Sequence, residues 1–158
     1  MTMKTNLNLE TGIKLPPPII YLAALIIGMV IDDFWPLSLF PEIWGHIIGS
    51  VFIPVSILLV PTFLIQFKKA GTTFDVRKSA TTLITDGPYR FSRNPAYISL
   101  TLLYLGLGAF FQNAWILVFV IPVLLIMDLR IVRKEERHLE AKFGEAYIQY
   151  ISVVGRWL

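Results

Sequence analysis

The stretch DGPYRFSRNPAYISL, Asp86 to Leu100, places two arginines, a Gly-Pro and an Asn-Pro between long apolar runs. Gly87-Pro88 forces a turn. Pro95 suits the first turn of a helix, where its missing N–H has no intrahelical partner to lose. Asn94 is then placed to cap that helix. A helix start presents free N–H groups to an anion, and Arg90 and Arg93 add positive charge beside it. The plainer alternative is a capped helix with interfacial arginines.

A second group of reactive types lies in RIVRKEERHLEAKFGEAYIQY, residues 130–150. At about 100° per residue, Asp128, Ile131, Glu135 and Leu139 share one helix face, and Arg133 and Glu136 lie side by side on another. An acid near the membrane end of a helix is costly unless it is paired or faces a wet cavity, so Asp128 and Glu135 on one face would attract a cationic ligand. The alternative is a solvated helix laced with Glu–Arg pairs. Gly144 is expected to end that helix, leaving Tyr147, Tyr150 and Trp157 on a short interfacial segment.

Other chemistries lack their residues. The chain has no cysteine, which removes disulfides, thiolate nucleophiles and Cys-based metal sites. His46 and His138 fall at opposite ends of the expected topology, and a single Glu135-x-x-His138 lacks the second such pair that a di-iron bundle requires, so no metal is expected. No P-loop or G-x-G-x-x-G occurs, so a soluble nucleotide-binding domain is set aside.

The elements that must position these residues are membrane helices. Of the 158 residues, 55% are apolar and 16% charged, with a mean hydropathy of +0.65, well outside the balance of a soluble domain. Four apolar runs stand out: Ile19 to Trp35, Trp44 to Phe67, Pro95 to Phe111, and Ala114 to Val132. Each approaches the roughly 20 residues that cross a bilayer. The first is the weakest, with an uninterrupted apolar core of only Ile19 to Ile31 before Asp32 and Asp33. Pro54 and Pro61 inside the second run require neighbouring helices to compensate. Gly45 and Gly49, spaced GxxxG, and Gly106 and Gly108 fit close helix packing. Gln112-Asn113 reads as the tight turn of a helical hairpin.

Lys4 and Lys14 precede the first run. Lys68, Lys69, Arg77, Lys78, Arg90 and Arg93 lie between the second and third, and Arg130, Arg133, Lys134, Arg137, Lys142 and Arg156 end or follow the fourth. Four crossings put all 14 basic residues on one side, which the positive-inside rule makes cytoplasmic, with both termini inside. Trp35, Trp44 and Trp115 then mark the outer interface. The net charge of +3 is thus explained by topology, and no nucleic-acid partner is expected. The expected fold is all-α: an integral membrane bundle of four transmembrane helices with a cytoplasmic C-terminal helical segment, one domain over 1–158.

Together, GPYRFSRNPAYIS and, beyond a helical hairpin, EERHLEAKFGEAYIQY resemble the catalytic region of the isoprenylcysteine carboxyl methyltransferases and the related bacterial and phospholipid methyltransferases. The family pattern is G-x-Y-x-x-x-R-H-P-x-Y, then E-E-x-x-L, then F-G-x-x-Y-x-x-Y, and the likeness covers residues 81–150. It implies a membrane enzyme that uses S-adenosylmethionine without a Rossmann domain and methylates a lipophilic acceptor, such as an isoprenylcysteine carboxylate or a lipid. Carried over by position, Thr81, Thr82, Leu83, Ile84, Tyr89, Asn94, Pro95, Ala96 and Tyr97 border the cofactor. Glu135, with Glu136 beside it, contacts it; Arg93 and the helix start face its carboxylate. Arg130 or Arg133 would orient a carboxylate acceptor. Asn94 replaces the family's histidine, and Ile131 stands where the family has an arginine one turn before the first glutamate. Those two departures keep a non-catalytic scaffold in view. The F-G-x-x-Y-x-x-Y tail keeps in view an NADPH-dependent reductase of the sterol reductase type.

The topology has a direct test in this Cys-free chain. Single cysteines at Asp75 and Lys142 are expected to react with a membrane-impermeant thiol reagent only from the cytoplasmic side. Labelling of either from the opposite side overturns the four-crossing arrangement.

Overall fold

The computed structural model describes residues 16–71 and 81–158. Lys4, Lys14, Arg77 and Lys78, counted above in the loop charge, and Asp75 lie outside them. Every regular element among the described residues is helical. They are α1 Pro17–Phe34, α2 Glu42–Ala70, α3 Pro95–Phe110, α4 Ala114–Ile126, α5 Arg133–Phe143 and α6 Glu145–Val153. A 3-10 turn, Gly87–Arg90, precedes α3, and a π-helical turn, Met127–Val132, joins α4 to α5.

Three helices are long and apolar enough to cross a bilayer: α1, α2 and the continuous helix Ala114–Phe143. The 16 residues of α3 are apolar as well and rise about 24 Å at 1.5 Å per residue. Pro17 at its first turn starts α1, which continues through Asp32 and Asp33 to Phe34 and so exceeds its apolar core. Asp32 Oδ1 then accepts the Leu37 N–H at 3.1 Å and turns the chain away from the helix end. The helix α2 passes through Pro54 and Pro61 without interruption and stops at Gly71, whose left-handed backbone (φ 60°) suits glycine.

Small residues set how close the helices come. Gly45 and Gly49 are buried on the face of α2 that meets α3. A Cβ at Gly49 would lie 2.5 Å from the Phe110 Cβ and 2.9 Å from the Gly106 carbonyl oxygen, so the two backbones touch there. The GxxxG pair is therefore used within the chain. On the other side of α3, α1 packs chiefly on α4. Tyr21, Tyr97, Tyr104, Ile116, Val123, Met127, Ile131 and Val132 form the shared core. Leu22, Ile26, Leu58, Ile121 and Leu125 are exposed apolar side chains on the outer faces, as lipid-facing positions are.

Both short connections gather at one end of the bundle. In the α3–α4 turn, Gln112 takes a positive φ of 57° and donates from Nε2 to the Glu42 carbonyl at 3.1 Å. Asn113 caps α4 by accepting the Ile116 N–H at 3.0 Å, while its Nδ2 donates to the Gly28 carbonyl at 3.3 Å. Trp115 Nε1 donates to the Trp35 carbonyl at 2.7 Å, and the Ala114 N–H donates to the Leu37 carbonyl at 2.8 Å. Trp35, Trp44 and Trp115 thus share that end. Residues 81–94 and α5–α6 occupy the other end, where the candidate site residues lie.

The α2–α3 approach makes a stability prediction. Gly49→Ala is expected to lower the unfolding free energy by about 1–3 kcal/mol through overpacking. Ser50→Ala, on the exposed side of the same turn, should stay within about 0.5 kcal/mol of the parent. Unfolding of the three proteins in one detergent checks this, and equal stabilities would show that the helices separate freely.

Candidate functional site

The site is organised by the π turn. In regular α-helix, Asp128 would share a face with Glu135, but a π turn adds about one residue to the winding and shifts everything after it. Asp128 therefore aligns with Glu136, correcting the expectation that it shares a face with Glu135. It accepts from Arg133 Nε at 3.0 Å, five residues on, and from Arg156 Nη1 at 3.2 Å. Arg133 pairs with Asp128 and not with Glu136, a second consequence of the same shift.

Arg156, just beyond α6, is the centre of the cluster. Its Nε and Nη2 grip the two oxygens of Glu136 at 3.0 and 2.7 Å, while Nη1 reaches Asp128. These bonds to Glu136, with the Asp128 charge behind them, raise the guanidinium above its ordinary pKa. Arg93 Nη1 binds the same carboxylate at 2.8 Å, so Glu136 is shared between two arginines. Arg93 Nε, however, is buried and has no hydrogen-bond partner.

The chain around Arg156 also closes over the start of α3. The Gly155 carbonyl accepts the Arg93 N–H at 3.1 Å, and the Arg156 carbonyl accepts from Asn94 Nδ2 at 2.9 Å and Ser92 Oγ at 3.4 Å. Asn94 occupies the N-cap position, and its carbonyl accepts the Tyr97 and Ile98 N–H groups, but its side chain makes no capping bond. The expected side-chain cap is thus corrected. The amide is drawn off to the Arg156 carbonyl, and the Asn94 N–H turns to Ser92 Oγ at 3.0 Å.

Glu135 faces a different environment. Its Oε2 accepts from the Tyr97 hydroxyl at 2.7 Å, and no cation pairs with it among the described residues. Burial, with the Glu136 charge adding to it, pushes the carboxyl up to about 7 against the opposing pull of the Tyr97 bond. Tyr89, on the 3-10 turn, lies edge-on to Phe67 and is raised by its own burial and by the Glu135 charge. Its carbonyl accepts from the Tyr150 hydroxyl at 2.7 Å.

Thr82, Leu83 and Ile84 line an open cleft of about 450 Å³ with Gln66, Lys69, Ala70, Thr85 and Asp86. Thr81 is exposed at its margin. Leu83 also packs against the buried pair Tyr147 and Tyr150. These tyrosines correct the expected interfacial segment: they are 2% and 8% exposed, and Trp157 packs on the main core. Burial raises Tyr147, with the Arg93 hydrogen bond acting the other way. Pro95, Ala96 and Tyr97 are buried at the start of α3. Of the two candidate acceptor-orienting arginines, Arg133 is tied to Asp128, while Arg130 is exposed and unpaired among the described residues. Arg156 went unrecognised because nothing in its local sequence marks it; the three-residue spacing of Tyr147 and Tyr150 was the available sign of a buried helix face.

Comparison with known proteins decides the family. The profile of phospholipid methyltransferases matches residues 44–146, about two thirds of the chain and all of α3, α4 and α5. The chain belongs to the phospholipid methyltransferase family. An uncharacterized protein of Haemophilus influenzae is 36% identical over 62 residues, covering 39% of this chain and 98% of that one. The family match places the chain among membrane methyltransferases and lends no support to the reductase or scaffold readings.

The two roles for Asn94 separate in one experiment. Aspartate is as good an N-cap as asparagine but cannot donate to the Arg156 carbonyl. Asn94→Ala should lose about 1 kcal/mol of stability, and Asn94→Asp at least as much. A neutral Asp variant in thermal unfolding would restore the side-chain cap.

Proposed function

We propose that this chain is a membrane-embedded methyltransferase that takes its methyl group from S-adenosylmethionine and passes it to a lipophilic acceptor entering from the bilayer, a lipid or an isoprenylcysteine carboxylate. The observation that carries the reading is Glu135, a carboxylate that Tyr97 orients and no described cation pairs with, on the helix whose next residue, Glu136, holds Arg93, whose Nε lacks an acceptor. One unneutralised acid and one unmatched donor suit the ammonium and carboxylate of an amino-acid moiety. The same end of the bundle carries the cleft of about 450 Å³ lined by Thr82, Leu83 and Ile84. The residues fit the cofactor. When bound, it supplies an activated methyl on a sulfonium centre.

This chain's residues then hold and exclude. Glu135, oriented by Tyr97, receives the cationic end, and Arg93 Nε receives the carboxylate. Glu136 stays with its arginines and takes no direct part. Arg130, unpaired near the end of the apolar span, orients an anionic group of the acceptor. Rate comes mainly from holding the acceptor heteroatom in line with the methyl, which demands positioning more than proton transfer. An amine acceptor must also lose a proton, for which Glu135 is the suitable base. The arrangement is one domain of four crossings, with the polar end and both termini cytoplasmic, since that end carries every basic residue described.

The test is equilibrium binding. Purified protein should bind S-adenosylhomocysteine and not NADPH. Glu135→Gln should weaken that binding roughly ten- to a hundredfold, as loss of a hydrogen bond to a charged group does, while Glu140→Gln leaves it unchanged. Because burial pushes the Glu135 carboxyl up to about 7, a cationic ligand must displace its proton below that pH. Affinity should therefore rise with pH by up to about tenfold per unit below the midpoint and level off above it. Equal effects of the two substitutions, or a flat pH profile, would remove Glu135 from the site.

A further inference from the structure

We infer that Arg156 is a positioning residue for the methyl-transfer site: its fork on Glu136 and Asp128 neutralises the neighbouring carboxylate and holds the π-turn register in which Glu135 alone faces Tyr97. The inference rests on the proposed role of Glu135 and adds the group that sets its charge and direction.

Three observations converge. The π turn Met127–Val132 brings Asp128 into line with Glu136, and the only described side chain that touches both is Arg156. Adjacent glutamates on a helix point roughly 100° apart, so fixing Glu136 toward Arg93 and Arg156 fixes Glu135 away from them. Glu136 is also the nearest like charge to Glu135 and acts to raise it. The two guanidiniums on Glu136 oppose that repulsion.

The groups facing Glu135 are few. Tyr97 comes from α3, Tyr89 from the 3-10 turn and Tyr147 from α6; Glu136 lies beside it on α5. Arg93 and Arg156 act on it only across Glu136. The three tyrosines are neutral over the working pH range, each raised above its ordinary value or buried as a hydrogen-bond donor. The charge that Glu135 feels is thus governed by how completely Glu136 is neutralised. Arg93 is anchored at its backbone, and its Nη1 makes one contact with Glu136, whereas Arg156 makes two and also reaches Asp128.

A structural tie and a positioning role differ in what they do to a pH profile. S-adenosylhomocysteine affinity is measured from pH 5.5 to 8.5 in one detergent for the parent, Arg156→Gln, Arg156→Lys, Glu136→Gln and the double variant Glu136→Gln/Arg156→Gln. Arg156→Gln is expected to move the midpoint of the profile upward by about one pH unit and to weaken binding about fivefold at pH 7. Arg156→Lys keeps the positive charge and should hold the midpoint within a few tenths of the parent's. Removing the carboxylate together with its guanidinium should return the midpoint to the parent value or below.

A midpoint unmoved in Arg156→Gln, with only thermal stability lowered, overturns the inference. So does a double variant that keeps the displaced midpoint. If Arg156→Gln does not fold, the Lys and double variants decide alone: a midpoint displaced upward in either one overturns it. A parent protein that binds without any pH dependence fails earlier, at the role of Glu135, and is recognised before any variant is made.

Discussion

A carboxylate placed next to another at the end of an apolar helix is unstable unless one of the two is neutralised. Here Glu136 receives two arginines and Glu135 none. The second arginine arrives from beyond α6, so helix geometry at α4–α5 and the path of the following chain are coupled. The π turn is the local expression of that coupling: it brings Asp128 and Glu136 under one guanidinium and thereby turns Glu135 onto Tyr97. π turns interrupt a helix at some loss of regular hydrogen bonding and persist where something beside them is gained. The gain here is one carboxylate held by Tyr97 and left without a cation among the described residues.

The two ends of the bundle are built on different principles. At the tryptophan end, backbone carbonyls are satisfied by Gln112, Asn113 and Trp115 side chains, and glycines bring α2 and α3 into backbone contact. That end has little polar chemistry and works as a clamp. At the other end the contacts are ionic and aromatic, and one donor, Arg93 Nε, is left over. The Tyr97 hydroxyl joins the two regimes, because Tyr97 belongs both to the buried core and to the Glu135 contact.

Much of this was legible in the sequence. Apolar runs marked the helices, Gly45 and Gly49 their close packing, Gln112-Asn113 the turn, Gly144 the break between α5 and α6, and the R-N-P-x-Y and E-E-x-x-L motifs the family. What escaped reading had physical causes. A fixed angle per residue cannot foresee a π turn, and so puts Asp128 on the face of Glu135 instead of that of Glu136. Asn94 was given the cap that its type and position suggest, but a carbonyl 62 residues away competes for its amide. Tyr147, Tyr150 and Trp157 look interfacial in a short polar tail, yet they bury against Leu83 and the main core. Each error concerns a long-range contact or a change of helical pitch, neither of which local pattern encodes.

The packing of α1 against α4, with a lesser contact to α3, bears on biogenesis. Chains emerge from the ribosome in order, and neighbours in sequence usually become neighbours in space. In this chain the chief partner of α1 is α4, reached only after α2 and α3. The Tyr21 hydroxyl meets Thr101 on α3, and the Gly28 carbonyl meets Asn113 at the cap of α4. The α2–α3 pair, by contrast, joins consecutive helices. The α1–α4 contact thus spans the longest stretch of sequence between packed helices, and a chain ending before residue 114 lacks the main partner of α1 altogether.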